Sequence, residues 1–133
     1  MNLYTRQKPV VYDSGKPVVD VAGVVRASLS EEGSGLIRSD IAYAKAWTCL
    51  AFNVSSNTLR DVFEGQPRLA PAVNGMQTMA GGKLVPTPGG MLIQKDGKNI
   101  GAVGVTGDVS DQDEICAIAG IESSNLTAGH KSK

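Results

Sequence analysis

The sequence predicts an α+β fold in which an antiparallel sheet is flanked by helices. Two observations support this prediction. Val-rich strand patterns occupy residues 16–30 and again residues 91–105, as two pairs of strands. Helical patterns lie between these two pairs and after the second pair. Strands grouped in runs, with helices between the runs, favour an antiparallel sheet over a doubly wound parallel one. A length of 133 residues fits one domain with its own core.

The first strand group and the first helix are defined by valine content and by helical spacing. Lys16–Ala22 and Val24–Ser30 are predicted to pair as a β-hairpin around a glycine. Ile41–Phe52 repeats apolar residues at intervals of three and four, which predicts a helix with one broad apolar face. We expect Ser39 or Asp40 to be its N-cap.

Two further helices are predicted before the second strand pair. Ser55 or Ser56 offers an N-cap for Thr58–Glu64, which should end at the following glycine. Arg68–Met79 carries apolar residues at helical spacing. Its methionines are more typical of packing than of iron ligation.

The second strand group has the clearest local signal. Met91–Lys95 and Asn99–Val105 are separated by Asp96-Gly97, a dipeptide preferred by type I′ hairpin turns because both central residues need positive φ. Asp111–Ser123 is predicted to be the last helix. The chain is thus divided into an extended arm at 1–15, a single domain at 16–126 and a disordered tail at 127–133 whose histidine is solvent-exposed.

Composition restricts the partners and the compartment. The formal net charge is zero, so we predict no nucleic-acid partner and no anionic membrane surface. The N-terminus lacks an apolar signal region and no segment reaches the roughly 20 apolar residues of a membrane span, which favours a cytoplasmic location. Cys49 and Cys116 lack CxxC spacing and are expected to be reduced, buried thiols.

Two glycine-bearing bends are candidate binding elements. The bend at Pro86–Gly90 includes Pro88, Gly89 and Gly90, and it could form a pocket wall or serve only as a rigid crossover. The bend at 104–108, with Thr106 and Gly107, leads to the start of the last helix. Free N–H groups there could hold a carboxylate or phosphate, although the nearby acidic residues could instead cap that helix.

Charged side chains supply the candidate catalytic groups. Lys45 lies among apolar and small neighbours, so it could be desolvated with a lowered pKa, or it could extend its ammonium to solvent. Lys45 and Arg38 could hold an anionic substrate while Asp113 or Glu114 transfers a proton. The acidic spacing is not that of a calcium loop, and no metal site is predicted. The single histidine, His130, lies close to the C-terminus, which leaves no plausible catalytic triad.

Six segments, in this order and spacing, resemble the GlcG/HbpS-like family from about Val18 to Leu126. They are Val19-Asp20-Val21-Ala22-Gly23, Ser39-Asp40-Ile41-Ala42-Tyr43-Ala44-Lys45-Ala46, Pro88-Gly89-Gly90, Lys95-Asp96-Gly97, Ile100-Gly101-Ala102-Val103-Gly104-Val105-Thr106-Gly107 and Asp111-Gln112-Asp113-Glu114. The resemblance implies profilin-like α/β/α layers and assembly into dimers or larger homo-oligomers. It also implies haem as a cofactor of some members, an accessory role beside adenosyltransferases in others, and frequent occurrence in catabolic operons.

The N-terminus departs from the family pattern. Members usually begin with a long helix, and a histidine near it is a common haem ligand. Met1–Gly15 contains Pro9, Val10, Val11 and Gly15 and is predicted to be an extended arm or strand, with the family's first helix missing. The segment also has no counterpart of that histidine.

Two functional hypotheses follow. The first is a small-ligand-binding protein that takes haem or a related tetrapyrrole, with the glycine bends as walls and Met, Tyr or Cys as the iron ligand. The second is an accessory protein or enzyme that acts on a small organic acid in a catabolic pathway. Both hypotheses expect the bends at 86–90 and 104–107 to meet beside the first helix and leave a cleft at a subunit boundary.

Overall fold

A computed structural model describes residues 19–26, 28, 36–107 and 110–130, and it has the predicted α+β architecture. The predicted arm at 1–15 and the end of the tail at 131–133 lie outside the described residues. The elements, in chain order, are β1 (Val19–Asp20), α1 (Ile37–Phe52), α2 (Ser56–Glu64), a 3₁₀ turn (Pro67–Leu69), α3 (Ala70–Met79), β2 (Gly90–Lys95), β3 (Lys98–Gly104), α4 (Ser110–Ser123) and β4 (Thr127–Gly129).

The described strands form one antiparallel sheet in the order β1-β3-β2-β4. Asp96 and Gly97 join β2 to β3 with φ values of 51° and 78°, which confirms the predicted turn with two positive φ angles. Met91, Leu92 and Ile93 are all fully buried. Because successive side chains of a strand point to opposite faces, both faces of β2 are covered.

Helix α1 packs very closely on the sheet, and a glycine makes this approach feasible. A Cβ atom added to Gly104 of β3 would lie 1.7 Å from the carbonyl oxygen of Ala42 in α1. Ala42, Ala46 and Cys49 are buried on the same side of the helix. Small side chains on α1 and a missing side chain on β3 therefore bring the two backbones together.

The start of α1 differs from the prediction. Helix α1 begins at Ile37, four residues before the predicted start, and its N-cap Leu36 provides no side-chain cap. Asp40 lies in the first turn, where its charge favours the helix dipole without capping the helix. Of the predicted first hairpin, residues 16–18, 27, 29 and 30 lie outside the described residues, and the described part has β1 and one antiparallel bridge between Val19 and Val25.

The prediction of a disordered tail is wrong for Thr127–Gly129, because these residues form β4. They pair with Leu92–Gln94 along the edge of β2, and the Leu126 and Ala128 side chains pack against the main core. The exposed N–H and C=O groups of a sheet edge favour such pairing even for a short segment. His130 follows the strand and is exposed, as predicted.

Among the described residues, no helix has both the length and the apolar character needed to cross a membrane.

Candidate functional site

The two glycine-bearing bends meet beside α1, as the sequence predicts. The backbone N–H of Val105 donates to the carbonyl of Gly89 at 2.9 Å. Gly89 has φ 123°, and a Cβ atom there would lie 2.4 Å from the Val105 oxygen and 2.8 Å from Lys45 Nζ. The bends therefore touch each other, and α1 fills the space next to them.

Lys45 is buried between the bends and paired with Asp113 of α4. Its Nζ donates to the carbonyl of Val105 at 2.9 Å and to Asp113 Oδ2 at 3.2 Å. The two side chains are 3% and 1% exposed. Burial lowers the pKa of Lys45; the nearby Asp113 opposes this effect, and the positive charge of Arg38 adds to it.

Glu114, the second predicted acid, belongs to a polar contact between α4, α2 and the end of β4. Its Oε2 accepts a hydrogen bond from Asn57 Nδ2 at 3.0 Å, and its Oε1 lies 3.9 Å from His130 Nδ1. The carbonyl of His130 accepts from the backbone N–H of Ser55 at 2.7 Å. Asn57 and His130 were not predicted at this site, because their contacts depend on how β4 returns to α2.

Ser56 and Cys49 fill the space around the second glycine of the first bend. The backbone N–H of Gly90 donates to Ser56 Oγ at 2.9 Å, and Ser56 Oγ donates to the carbonyl of Thr87. Burial raises the pKa of the Cys49 thiol to about 12, so this thiol stays protonated at neutral pH.

The remaining sequence-predicted site residues are buried or half-buried. Arg38 is half-buried in the first turn of α1. Pro88 and Thr106 are buried, and Gly107 is half-buried with φ 144°. Within the described part of the chain, no group of three or more His, Cys, Asp or Glu residues could hold a metal ion.

An apolar groove of about 290 Å³ lies on another side of α1, between that helix and the end of α3. We call it the Trp47 groove, and its lining residues are Trp47, Ala51, Phe52, Met76, Met79, Ala80 and Leu84. A second depression of about 180 Å³ shares Trp47 and Ala51 and is also lined by Val21, Ala22, Gly23 and Leu50. Trp47 thus stands between two apolar depressions.

The Trp47 groove has an accessible sulfur and a nearby cation. Met79 is 87% exposed, so the prediction that the helix methionines pack inside is wrong for this residue. Met76, one turn earlier, does pack against the cluster formed by Leu59, Ala80 and Leu84. Lys83 Nζ lies 5.0 Å from the centre of the Trp47 ring. The sequence signal for this groove was the chain's one tryptophan, but its neighbours in the groove are up to 37 positions away and cannot be inferred from local spacing.

Comparison with solved structures supports the fold. A crystal structure of a PduOC:haem complex matches with a TM-score of 0.72 and 31% sequence identity, covering 84% of this chain and 78% of that one. The Klebsiella pneumoniae protein ORFY matches with a TM-score of 0.66 and 22% identity, covering 80% of this chain and 71% of that one.

Sequence comparison identifies the family. The corrinoid adenosyltransferase PduO of Salmonella typhimurium is 32% identical over 120 residues, and that of Citrobacter freundii is 28% identical over the same length. Each match covers 90% of this chain but only 33% of the relative, so the chain spans about a third of the length of these proteins. The family described as haem degrading protein HbpS-like matches residues 7–122. The chain therefore belongs to the HbpS-like family, in agreement with the resemblance found in its sequence.

Proposed function

We propose that this chain is a small-ligand-binding protein that takes haem or a related tetrapyrrole. The observation that carries the proposal is the 31% identity and TM-score of 0.72 shared with the PduOC:haem complex across 84% of the chain. Membership of a family described as haem degrading adds support.

The donor groups of the described residues are compatible with haem. Iron in haem proteins is ligated by His, Met, Cys thiolate or Tyr. The Met79 thioether and the His130 imidazole are accessible, with His130 58% exposed at its side chain. Cys49 does not fit this role because its thiol is buried and its pKa is raised to about 12. Bound haem would supply the iron and the macrocycle, while the chain would supply an axial donor and apolar contacts.

The alternative, an accessory protein or enzyme for a small organic acid, receives less support from the geometry. It requires Arg38 and Lys45 to hold an anion while Asp113 or Glu114 transfers a proton. Glu114 already accepts a hydrogen bond from Asn57. Lys45 and Asp113 form a pair. Both side chains are almost completely buried, and they are bonded to each other. This arrangement favours a structural role for the pair.

Haemin titration tests the proposed function. We expect a Soret shift that saturates at one haemin per chain, and the same chain unfolded in urea is the control. A shift that grows without saturation, or that is equal in the folded and unfolded chain, would contradict the proposal.

We also propose that the chain forms a homo-oligomer. Large apolar side chains are exposed at the start of α1 and on α4: Leu36 is 96% exposed, Ile37 63% and Ile115 57%. Exposed apolar surface is commonly covered by a partner. Light scattering at micromolar concentration should give a mass well above the 13.8 kDa of one chain, and a monomer would contradict this proposal.

A cytoplasmic location is the third part of the proposal. Cys49 and Cys116 are buried, reduced thiols, which is typical of proteins from reducing compartments. Cell fractionation that recovers the chain outside the cytoplasm would contradict this assignment.

A further inference from the structure

We propose that the Trp47 groove holds the tetrapyrrole and that the Met79 thioether is an axial donor to its iron. This inference rests on the haem-binding function proposed above, and it assigns that function to a surface that local sequence spacing does not identify. The evidence is an accessible sulfur, an apolar lining and a cation at one place on the molecule.

Met79 provides an accessible sulfur in the lining of the groove. It ends α3, and 87% of it is exposed, although Val73 and Met76 of the same helix pack against the neighbouring apolar cluster. An exposed methionine contributes little to folding, because it buries little apolar surface. A thioether is a soft ligand that binds haem iron in other proteins.

The lining of the groove is mainly apolar. Trp47, Phe52 and Leu84 contribute apolar surface against which a flat macrocycle can lie. A volume of about 290 Å³ lies just below the range of about 300–1,000 Å³ for ligand pockets, so part of the ring would remain in solvent. The second depression extends the apolar surface beyond Trp47.

A cation lies beside Trp47 of the groove. Haem carries two propionates, which need a cation or solvent. Lys83 places its ammonium 5.0 Å from the Trp47 ring centre, and none of the described residues that line the groove is acidic. The lysine can therefore pair with a propionate while the ring contacts the apolar lining.

Haemin titration of four variants tests the inference. Met79→Leu removes the sulfur and keeps an apolar side chain, and Val62→Leu is the control at an exposed apolar position of α2 that does not line the groove. Ala51→Glu places a carboxylate in the groove, and Ala72→Glu places one on an exposed position of α3 that does not line it. Far-UV circular dichroism and urea midpoints verify that each variant folds.

We expect Met79→Leu to lose the thioether–iron signature in absorption and magnetic circular dichroism spectra. Met79→Leu and Ala51→Glu should each weaken haemin binding about tenfold or more, while Val62→Leu and Ala72→Glu remain close to the parent chain. If the parent chain binds haemin and all four variants bind equally, the groove is refuted and the haem-binding function stands.

Two other outcomes would also overturn the inference. If the parent chain does not bind haemin at saturation, both the function and its location are wrong. If Ala51→Glu converts an oligomer to a monomer and haemin binding is unchanged, the groove is a contact between copies of the chain.

Discussion

The buried pair of Lys45 and Asp113 allows a quantitative test of how the bends are held. Lys45→Met removes the ammonium and leaves the Asp113 carboxylate buried, and Asp113→Leu leaves the ammonium without its acidic partner. The side chains are 3% and 1% exposed, and their charged atoms lie 3.2 Å apart. Removing one member of such a pair costs about 3–5 kcal/mol, because the remaining charge stays desolvated.

The double variant separates this pairing from ordinary loss of packing. Lys45→Met with Asp113→Leu removes both charges of the pair, so it should be more stable than the sum of the two single losses predicts. We expect a coupling energy of about 2 kcal/mol or more, measured by urea unfolding of all four chains followed by circular dichroism. Strictly additive losses would refute the pairing argument.

The pH dependence of Asp113→Leu gives an independent check. Burial already lowers the pKa of Lys45 below its ordinary value, and loss of Asp113 removes the contact that opposes this effect. Between the folded-state pKa and that of the unfolded chain, the unfolded state binds more protons, so stability rises with pH. The deficit of Asp113→Leu relative to the parent chain should therefore shrink as the pH rises through the lowered pKa of Lys45 in the variant, and a deficit that grows would contradict this expectation.

Three further predictions concern folding and thiol chemistry. Gly104→Ala should cost about 4 kcal/mol or more in the free energy of unfolding, because its Cβ would collide with a carbonyl of α1, whereas Gly75→Ala, with open space around it, should be neutral or stabilise by about 0.5–1 kcal/mol. Ser55→Ala should cost about 1 kcal/mol in urea unfolding, since the Ser55 side chain accepts from the backbone N–H at the third position of α2. Cys49 should resist a thiol reagent at pH 8 in the folded chain and react in urea; rapid labelling of the folded chain would contradict its burial and raised pKa.

Sequence patterns correctly predicted the elements whose geometry depends only on residues that are close together in the sequence. Asp96-Gly97 specifies a turn through its own φ preferences, and Ser55 caps α2 through a bond to a residue three positions away. The start of α1 was misplaced because Ser39 and Asp40 are good caps by residue type, yet the helix continues to Ile37. β4 was missed because a three-residue strand has too few residues for a period, and its partner β2 lies more than 30 positions earlier.

The candidate site depends on contacts between residues that are far apart in the sequence, and sequence spacing does not predict such contacts. Lys45 and Asp113 were both selected from the sequence, but as groups that act on a ligand, and their direct bond spans 68 positions. The Trp47 groove joins residues of α1 with others at the end of α3 and beyond it. No periodicity within α1 indicates which of its faces will meet α3.

Helix α1 packs against the sheet with one face and lines the Trp47 groove with another. Ala42, Ala46 and Cys49 lie against the sheet, where the absence of a side chain at Gly104 allows close packing. Trp47 and Ala51, four positions apart, lie on another face and line both depressions. The glycines next to the sheet-facing side of α1 allow backbone segments of the protein to pack closely there. Apolar side chains on the other face remain in contact with solvent, so a ligand has better access to that face.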